Sequence, residues 1–140
     1  MGIIEEILDN SRTVAVVGLS ANPDRPSYRV ASYLKERGYK IIPVNPNEKE
    51  ILEEKSYPDL ISIPEKLDVV DIFRRSEDVL PIVRQAIMTG VKAIWMQEGV
   101  INKEAAAEAR KAGLKVVMDR CMRKEHSRLF GEDRSGEESG

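Results

Sequence analysis

The stretch Val14-Ala15-Val16-Val17-Gly18-Leu19-Ser20 is an apolar run that ends in a glycine and a serine. Such a run is typical of a strand buried on both faces, and a helical pattern begins soon after it, near Ser27. A strand that leads through a glycine into a helix brings backbone N–H groups and the positive end of the helix dipole to one point. That arrangement suits a phosphate group. A dinucleotide fingerprint needs three spaced glycines, and Gly18 alone does not supply it.

The composition is that of one soluble globular domain. The chain has 140 residues, of which 41% are hydrophobic and 33% charged, and no apolar run approaches the length of a membrane span. The net charge of -2 gives no general attraction to nucleic acid or to an anionic membrane. The single cysteine, Cys121, excludes an internal disulfide and predicts a cytoplasmic location. Abundant Lys, Glu and Arg with little glutamine favour a thermophilic source.

Short apolar runs alternate with helical patterns along the chain. This alternation predicts an α/β fold, a doubly wound parallel sheet of five strands in three α/β/α layers, with the first strand central. We expect one domain over residues 1–130 and a disordered tail over 131–140, where Gly, Ser and charged residues dominate. The predicted strands are Thr13–Leu19, Tyr39–Val44, Val69–Phe73, Lys92–Met96 and Leu114–Met118. The predicted helices are Ile3–Asn10, Ser27–Arg37, Glu77–Thr89 (capped by Ser76), Lys103–Ala112 (capped by Asn102) and Met122–Phe130. The polar segment Asn47–Lys66 is expected to be irregular, with an extended piece at Ser56–Ile61.

In a doubly wound sheet, ligands bind beyond the carboxyl ends of the strands, where the strand order reverses. Five segments are therefore expected to form the rim of any site: Gly18–Ser20, Val44–Pro46, Phe73–Arg75, Met96–Glu98 and Asp119–Cys121.

The first rim segment has the chemistry of a phosphate site. Ser20, Arg25, Ser27 and Arg29 lie near a helix start, and arginine offers paired donors and a permanent charge. The alternative is that Ser27 only caps the helix and that Arg25 is solvated.

The second and third segments also fit a nucleotide. Asn45 stands where an NAD site would place an acid for the ribose, although Asn-Pro equally well ends a strand. Phe73, Arg74 and Arg75 suit an adenine and a polyphosphate, and a solvated arginine pair is the alternative.

The last two segments are open to more than one interpretation. Gln97 could bind an amide or a base edge, whereas Trp95 falls inside a strand pattern and is expected in the core. Cys121 and His126 have the spacing of a nucleophile and a base on one helix. The default interpretation is a buried cysteine and a histidine on the helix surface, and two such residues fall far short of a zinc signature.

Together these segments resemble the family of small single-domain CoA-binding proteins, which are similar in fold to the CoA-binding domain of the succinyl-CoA synthetase alpha subunit. The resemblance spans residues 3 to about 130. It is carried by Val17-Gly18-Leu19-Ser20, Asn22-Pro23, Arg25-Pro26-Ser27-Tyr28, Pro43-Val44-Asn45-Pro46, Asp68-Val69-Val70-Asp71-Ile72-Phe73-Arg74-Arg75, Ile94-Trp95-Met96-Gln97-Glu98-Gly99-Val100, Asp119-Arg120-Cys121-Met122 and Glu125-His126.

The resemblance implies a Rossmann-like domain that binds coenzyme A. By position, the CoA phosphates would be met by Gly18, Leu19 and Ser20, together with Arg25 and Ser27. The adenosine side would be lined by Val44, Asn45 and Pro46, and the nucleotide would be held by Phe73, Arg74 and Arg75. The residues toward the pantetheine arm would be Met96, Gln97 and Glu98. His126 belongs to the small family's own pattern and cannot take the place of the synthetase's phosphorylated histidine, so synthetase activity is not implied.

The leading hypothesis is therefore a protein that binds CoA or an acyl-CoA without established catalysis. One alternative is an enzyme that acts on a CoA thioester through Cys121 and His126. The other is an NAD(P)-binding regulator. A homodimer is left open, and no metal, nucleic acid or membrane partner is expected.

Overall fold

The computed structural model describes residues 2–131 and confirms the predicted α/β fold. Five parallel strands form one sheet in the order β2-β1-β5-β6-β7, with helices on both faces. The predicted disorder of the tail lies outside the described residues, apart from Gly131. The strands are β1 Thr13–Val17, β2 Lys40–Val44, β3 Glu50–Ile51, β4 Glu54–Lys55, β5 Val69–Ile72, β6 Ala93–Met96 and β7 Lys115–Val117. The helices are α1 Ile3–Asn10, α2 Pro26–Glu36, α3 Val79–Thr89, α4 Lys103–Lys111 and α5 Met122–Phe130.

Alternate residues of each strand face two separate hydrophobic clusters, because successive side chains of a strand point to opposite sides of the sheet. Val16 and Trp95 pack with α1, α2 and α5 on one face, whereas Val17 and Met96 pack with α3 and α4 on the other. A strand covered on both faces must be apolar throughout, which accounts for the unbroken apolar runs in the sequence. Within residues 2–131, no helix combines the length and the apolar character needed to cross a bilayer.

The middle strand of the sheet is β5, so the prediction that the first strand is central was wrong. β1 is nevertheless interior, paired with β2 on one side and β5 on the other. The chain leaves β1 to form β2 and then crosses back to form β5. The strand order therefore reverses between β1 and β5, and this is where such sheets bind ligands.

The segment between β2 and β5 holds a hairpin that the sequence did not predict. β3 and β4 pair antiparallel through Leu52 and Glu53, whose φ angles are 56° and 63°. Neither turn residue is the glycine or asparagine that usually marks such a turn, so the signal was missing. The predicted extended piece at Ser56–Ile61 reduces to a bridge between Tyr57 and Val44.

The helix ends follow the predicted capping in part. Asn102 caps α4, its Oδ1 accepting from the Ala105 N–H at 2.9 Å. Ser76 does not cap α3: a 3₁₀ turn over Ser76–Asp78 precedes that helix, and the Ser76 hydroxyl accepts from the Ile101 N–H instead. This bond ties the segment after β6 to the segment after β5, a tertiary contact that local capping rules do not include.

Candidate functional site

A cleft of about 730 Å³ lies at the carboxyl ends of the strands. We call it the main cleft. It brings together most of the residues predicted for the site: Gly18, Ser20, Arg25, Ser27, Phe73, Arg74, Arg75, Gln97 and Glu98. Two further lining residues had been noted in the sequence, Arg29 near the helix start and Cys121 as a candidate nucleophile. The lining is completed by residues that the sequence did not single out for ligand binding: Pro26, Val30, Val100, Arg123 and Lys124.

The turn after β1 requires a glycine. Gly18 has a φ of +86°, and a Cβ placed on it would lie 2.2 Å from the carbonyl oxygen of Phe73. Its N–H donates to the Val44 carbonyl at 3.0 Å. The turn is thus held between the ends of β2 and β5, and the main cleft opens at the point where the strand order reverses.

The start of α2 is joined to this turn by Ser27. Its hydroxyl oxygen accepts from the Ser20 N–H at 3.0 Å. The expectation that Ser27 caps the helix was wrong, because Arg25 occupies the cap position and Pro26 is the first helical residue. Ser27 therefore fixes the loop against the helix, and the first residues of α2 line the main cleft.

The main cleft concentrates positive charge in a chain whose net charge is -2. Within the described residues, four of its guanidinium groups form no ion pair: those of Arg25, Arg29, Arg74 and Arg123. We call these the unpaired arginines. The other two cations are neutralised, Arg75 by Asp78 at 3.1 Å and Lys124 by Glu98 at 3.0 Å. Like charges that converge without partners favour an anionic ligand.

The far wall of the main cleft is built by hydrogen bonds between the segments that follow β6 and β7. The Gln97 side-chain oxygen accepts from the Met122 N–H at 3.1 Å, which leaves the amide nitrogen of Gln97 available to a ligand. Asp119, at a φ of 60°, accepts from the Gly99 N–H at 2.7 Å. Trp95 is fully buried, as predicted, and its indole N–H donates to the Arg120 carbonyl.

A smaller pocket of about 300 Å³ adjoins the main cleft across Arg74, which lines both. We call it the adjoining pocket. Val44 and Pro46 line it, as do Pro58, Leu60, Pro81 and Ile82. Asp59, Glu77, Asp78 and Gln85 also line it, so Arg74 stands between the cationic main cleft and a pocket of mixed apolar and acidic lining.

Three of the predicted site residues have side chains that line neither space. Asn45 donates to the Leu19 carbonyl at 2.9 Å, and its oxygen accepts from the Asn47 N–H. Leu19 and Met96 are fully buried in the core. Their structural role is to fix the backbone of the rim, and direct contacts from their side chains to a ligand stay a prediction.

Cys121 and His126 do not share a site. Cys121 is 8% exposed and lines the main cleft, whereas His126 lines a separate pocket of about 290 Å³ with Leu8, Tyr39 and Phe130. The predicted position of His126 on the helix surface was wrong, because it is buried and its Nδ1 lies 2.7 Å from the Tyr33 hydroxyl. Burial lowers the pKa of His126, with a further contribution from the charge of Arg37.

Asp71 is a buried acid for which the sequence suggested no role. Both of its carboxylate oxygens are buried without a hydrogen-bond partner in the described part of the chain. It lies in β5 beside Val16 and Trp95, two residues before Phe73. Burial raises the pKa of Asp71 well above its ordinary value. The one sequence signal was an acid inside an otherwise apolar strand.

Comparison with known proteins agrees with the fold. The profile of the family described as the CoA binding domain matches residues 12–127. The uncharacterized protein YneT of Bacillus subtilis is 40% identical over 124 residues, which cover 89% of this chain and 92% of that protein. A solved structure of a hypothetical protein from Pyrococcus horikoshii OT3 is 44% identical, with a TM-score of 0.89, and the match covers 91% of this chain and 90% of that one.

A longer relative places the same domain inside an enzyme. Acetate–CoA ligase (ADP-forming) II of Archaeoglobus fulgidus is 31% identical over 129 residues, which cover 89% of this chain but 18% of the ligase. The shared part is therefore a domain of that ligase and not the whole of it. The match over residues 12–127 and the likeness to YneT show that this chain belongs to the family of CoA-binding domains.

Proposed function

We propose that the main cleft binds coenzyme A or an acyl-CoA, and that the protein acts by binding rather than by catalysis. The observation that carries this proposal is the convergence of the unpaired arginines on one cleft at the carboxyl edge of the sheet. CoA carries a diphosphate and a 3′-phosphate, and guanidinium groups donate paired, charge-assisted hydrogen bonds to such groups.

The lining residues also support an orientation for the ligand. The diphosphate lies at the Gly18 turn and the start of α2, beside Arg25, where backbone N–H groups and the helix dipole favour an anion. The adenosine extends past Arg74 toward Val44 and Pro46 in the adjoining pocket. The pantetheine arm runs the other way, toward the amide nitrogen of Gln97.

Calorimetric titration with CoA, ATP and NADPH tests this function. We expect CoA to bind more tightly than ATP, because ATP lacks the pantetheine arm. We also expect CoA to bind more tightly than NADPH, because the single glycine at residue 18 does not provide a dinucleotide fingerprint. The Arg25→Gln/Arg74→Gln variant should weaken CoA binding at least tenfold and reduce its dependence on salt. Arg110→Gln, on the exposed side of α4, is the matched control. No binding of CoA, or equal binding of all three ligands, would overturn the proposal.

A second candidate function is chemistry on a CoA thioester, and the position of Cys121 on the wall of the main cleft favours it. His126 cannot serve as the base for that thiol, since it lines a different pocket. Rapid alkylation of Cys121 at neutral pH and a thioesterase or transferase activity lost in Cys121→Ala would support this candidate. An unreactive thiol would count against it. The homodimer and the cytoplasmic location stay predictions.

A further inference from the structure

A second space adjoins the main cleft beside α2 and α5. This space, which we call the side pocket, has a volume of about 450 Å³. Arg29 and Arg123 line both the main cleft and the side pocket, so the two spaces meet at these two side chains. The other residues of the side pocket are Pro23, Tyr28, Ser32, Tyr33 and Glu36.

In the proposed orientation, the pantetheine arm points toward the side of the main cleft that adjoins the side pocket. Cys121 and Arg123 lie at the start of α5, and the intervening Met122 N–H is bonded to Gln97. In this orientation, a group attached to the thiol of a bound CoA would lie toward Arg29 and Arg123, at the boundary of the two spaces.

The charge of the side pocket favours a carboxylate. Its two guanidinium groups belong to the unpaired arginines and face one acid, Glu36, which leaves one positive charge in excess. The Arg123 guanidinium lies 5.8 Å from the centre of the Tyr33 ring, a contact that orients the group without neutralising it. Glu98, the one acid among the described residues that line the main cleft, is already paired with Lys124. An apolar acyl chain would meet two unpaired guanidinium groups here, whereas a terminal carboxylate would pair with them.

On the basis of the proposed function, we infer that the preferred ligand is an acyl-CoA whose acyl group ends in a carboxylate, and that Arg29 and Arg123 select that carboxylate. The hydroxyls of Tyr28 and Ser32 add hydrogen-bond donors in the same pocket. The selectivity arises from two residues on different helices, and both must be present for paired donation.

Calorimetry with matched acyl-CoA probes tests this inference. Glutaryl-CoA and valeryl-CoA have acyl chains of equal length and differ in a terminal carboxylate or methyl group. We expect wild-type protein to bind glutaryl-CoA about tenfold more tightly than valeryl-CoA, and the preference to weaken as salt is added. In Arg29→Gln/Arg123→Gln the ratio of the two dissociation constants should fall to about one, whereas Arg110→Gln should keep the wild-type ratio.

The ratio separates this inference from the proposed function, because a uniform loss of CoA affinity leaves it unchanged. A wild-type ratio near one, with CoA still bound, overturns the inference and leaves the CoA site standing. A tenfold ratio that survives in the double variant overturns the assignment to Arg29 and Arg123. If no CoA species binds, the proposed function itself is wrong.

Discussion

Replacing Asp71 by asparagine tests whether the buried carboxyl group in β5 is protonated in the folded protein. Its two oxygens are buried with no hydrogen-bond partner in the described part of the chain, and burial raises its pKa well above the ordinary value of 3.8. Asparagine has nearly the same size and shares the cost of an unpaired polar group, but it cannot ionise. The variant therefore isolates the cost of ionisation.

The sign of the effect follows from proton binding. Between pH 3.8 and the raised pKa of Asp71, the folded state binds one proton more than the unfolded state. The free energy of unfolding contributed by this group therefore falls by about 1.4 kcal/mol for each pH unit of that interval. The contribution is fully present below pH 3.8 and is lost as the pH rises through the raised pKa. Asp71→Asn lacks this slope, so its stability relative to wild type should increase with pH.

Denaturant unfolding measured from about pH 4 to pH 8 provides the assay. The fluorescence of Trp95, the chain's single tryptophan and a register partner of Asp71, reports on the transition. His126, whose pKa is lowered, contributes a slope of the opposite sign, but it is present in both proteins and cancels in the difference. A flat difference curve for Asp71→Asn would refute the reasoning.

Three further substitutions test the construction of the rim and of the hairpin. Gly18→Ala should lower the free energy of unfolding by more than about 2 kcal/mol, because the new Cβ would lie 2.2 Å from the Phe73 carbonyl oxygen; a loss below about 0.5 kcal/mol in denaturant unfolding would contradict this. Glu53→Gly should raise the stability by about 0.5 kcal/mol, since the residue is exposed at a φ of 63°, and a lower melting temperature would count against strain in the turn. Gln97→Leu should cost about 1–3 kcal/mol by leaving the Met122 N–H unpaired and should also weaken CoA binding; unchanged unfolding would show that this bond does not support the wall of the main cleft.

Much of the candidate site could be predicted because topology determines where a doubly wound sheet binds its ligand. The turn at Gly18, the arginine after β5 at Arg74 and the amide at Gln97 all meet in the main cleft. Side-chain orientation could not be predicted in the same way. Asn45 occupies a rim position, yet its side chain donates to the Leu19 carbonyl and accepts from the Asn47 N–H.

The pairing of Cys121 with His126 shows why spacing alone is a weak guide. Cys121 stands at the cap position outside α5, and His126 lies more than one turn inside the helix. Residues separated in this way point to different faces, since an α-helix repeats every 3.6 residues. The packing of α5 against α1 and α2 then buries His126 with Tyr33, away from the main cleft.

By itself, the sequence determined the fold class, the glycine turn and the edge of the sheet at which the candidate site lies. Unbroken apolar runs can be buried only in a sheet that is covered on both faces. Such runs and the glycine turn are formed by residues that are adjacent in the sequence, so the sequence alone shows them. Only the tertiary structure decided that Arg29 and Arg123 meet in one pocket, because they lie on helices that become neighbours through packing. It also decided that Asp71 has no hydrogen-bond partner among residues 2–131, since the groups that could have paired with it come from other strands and helices.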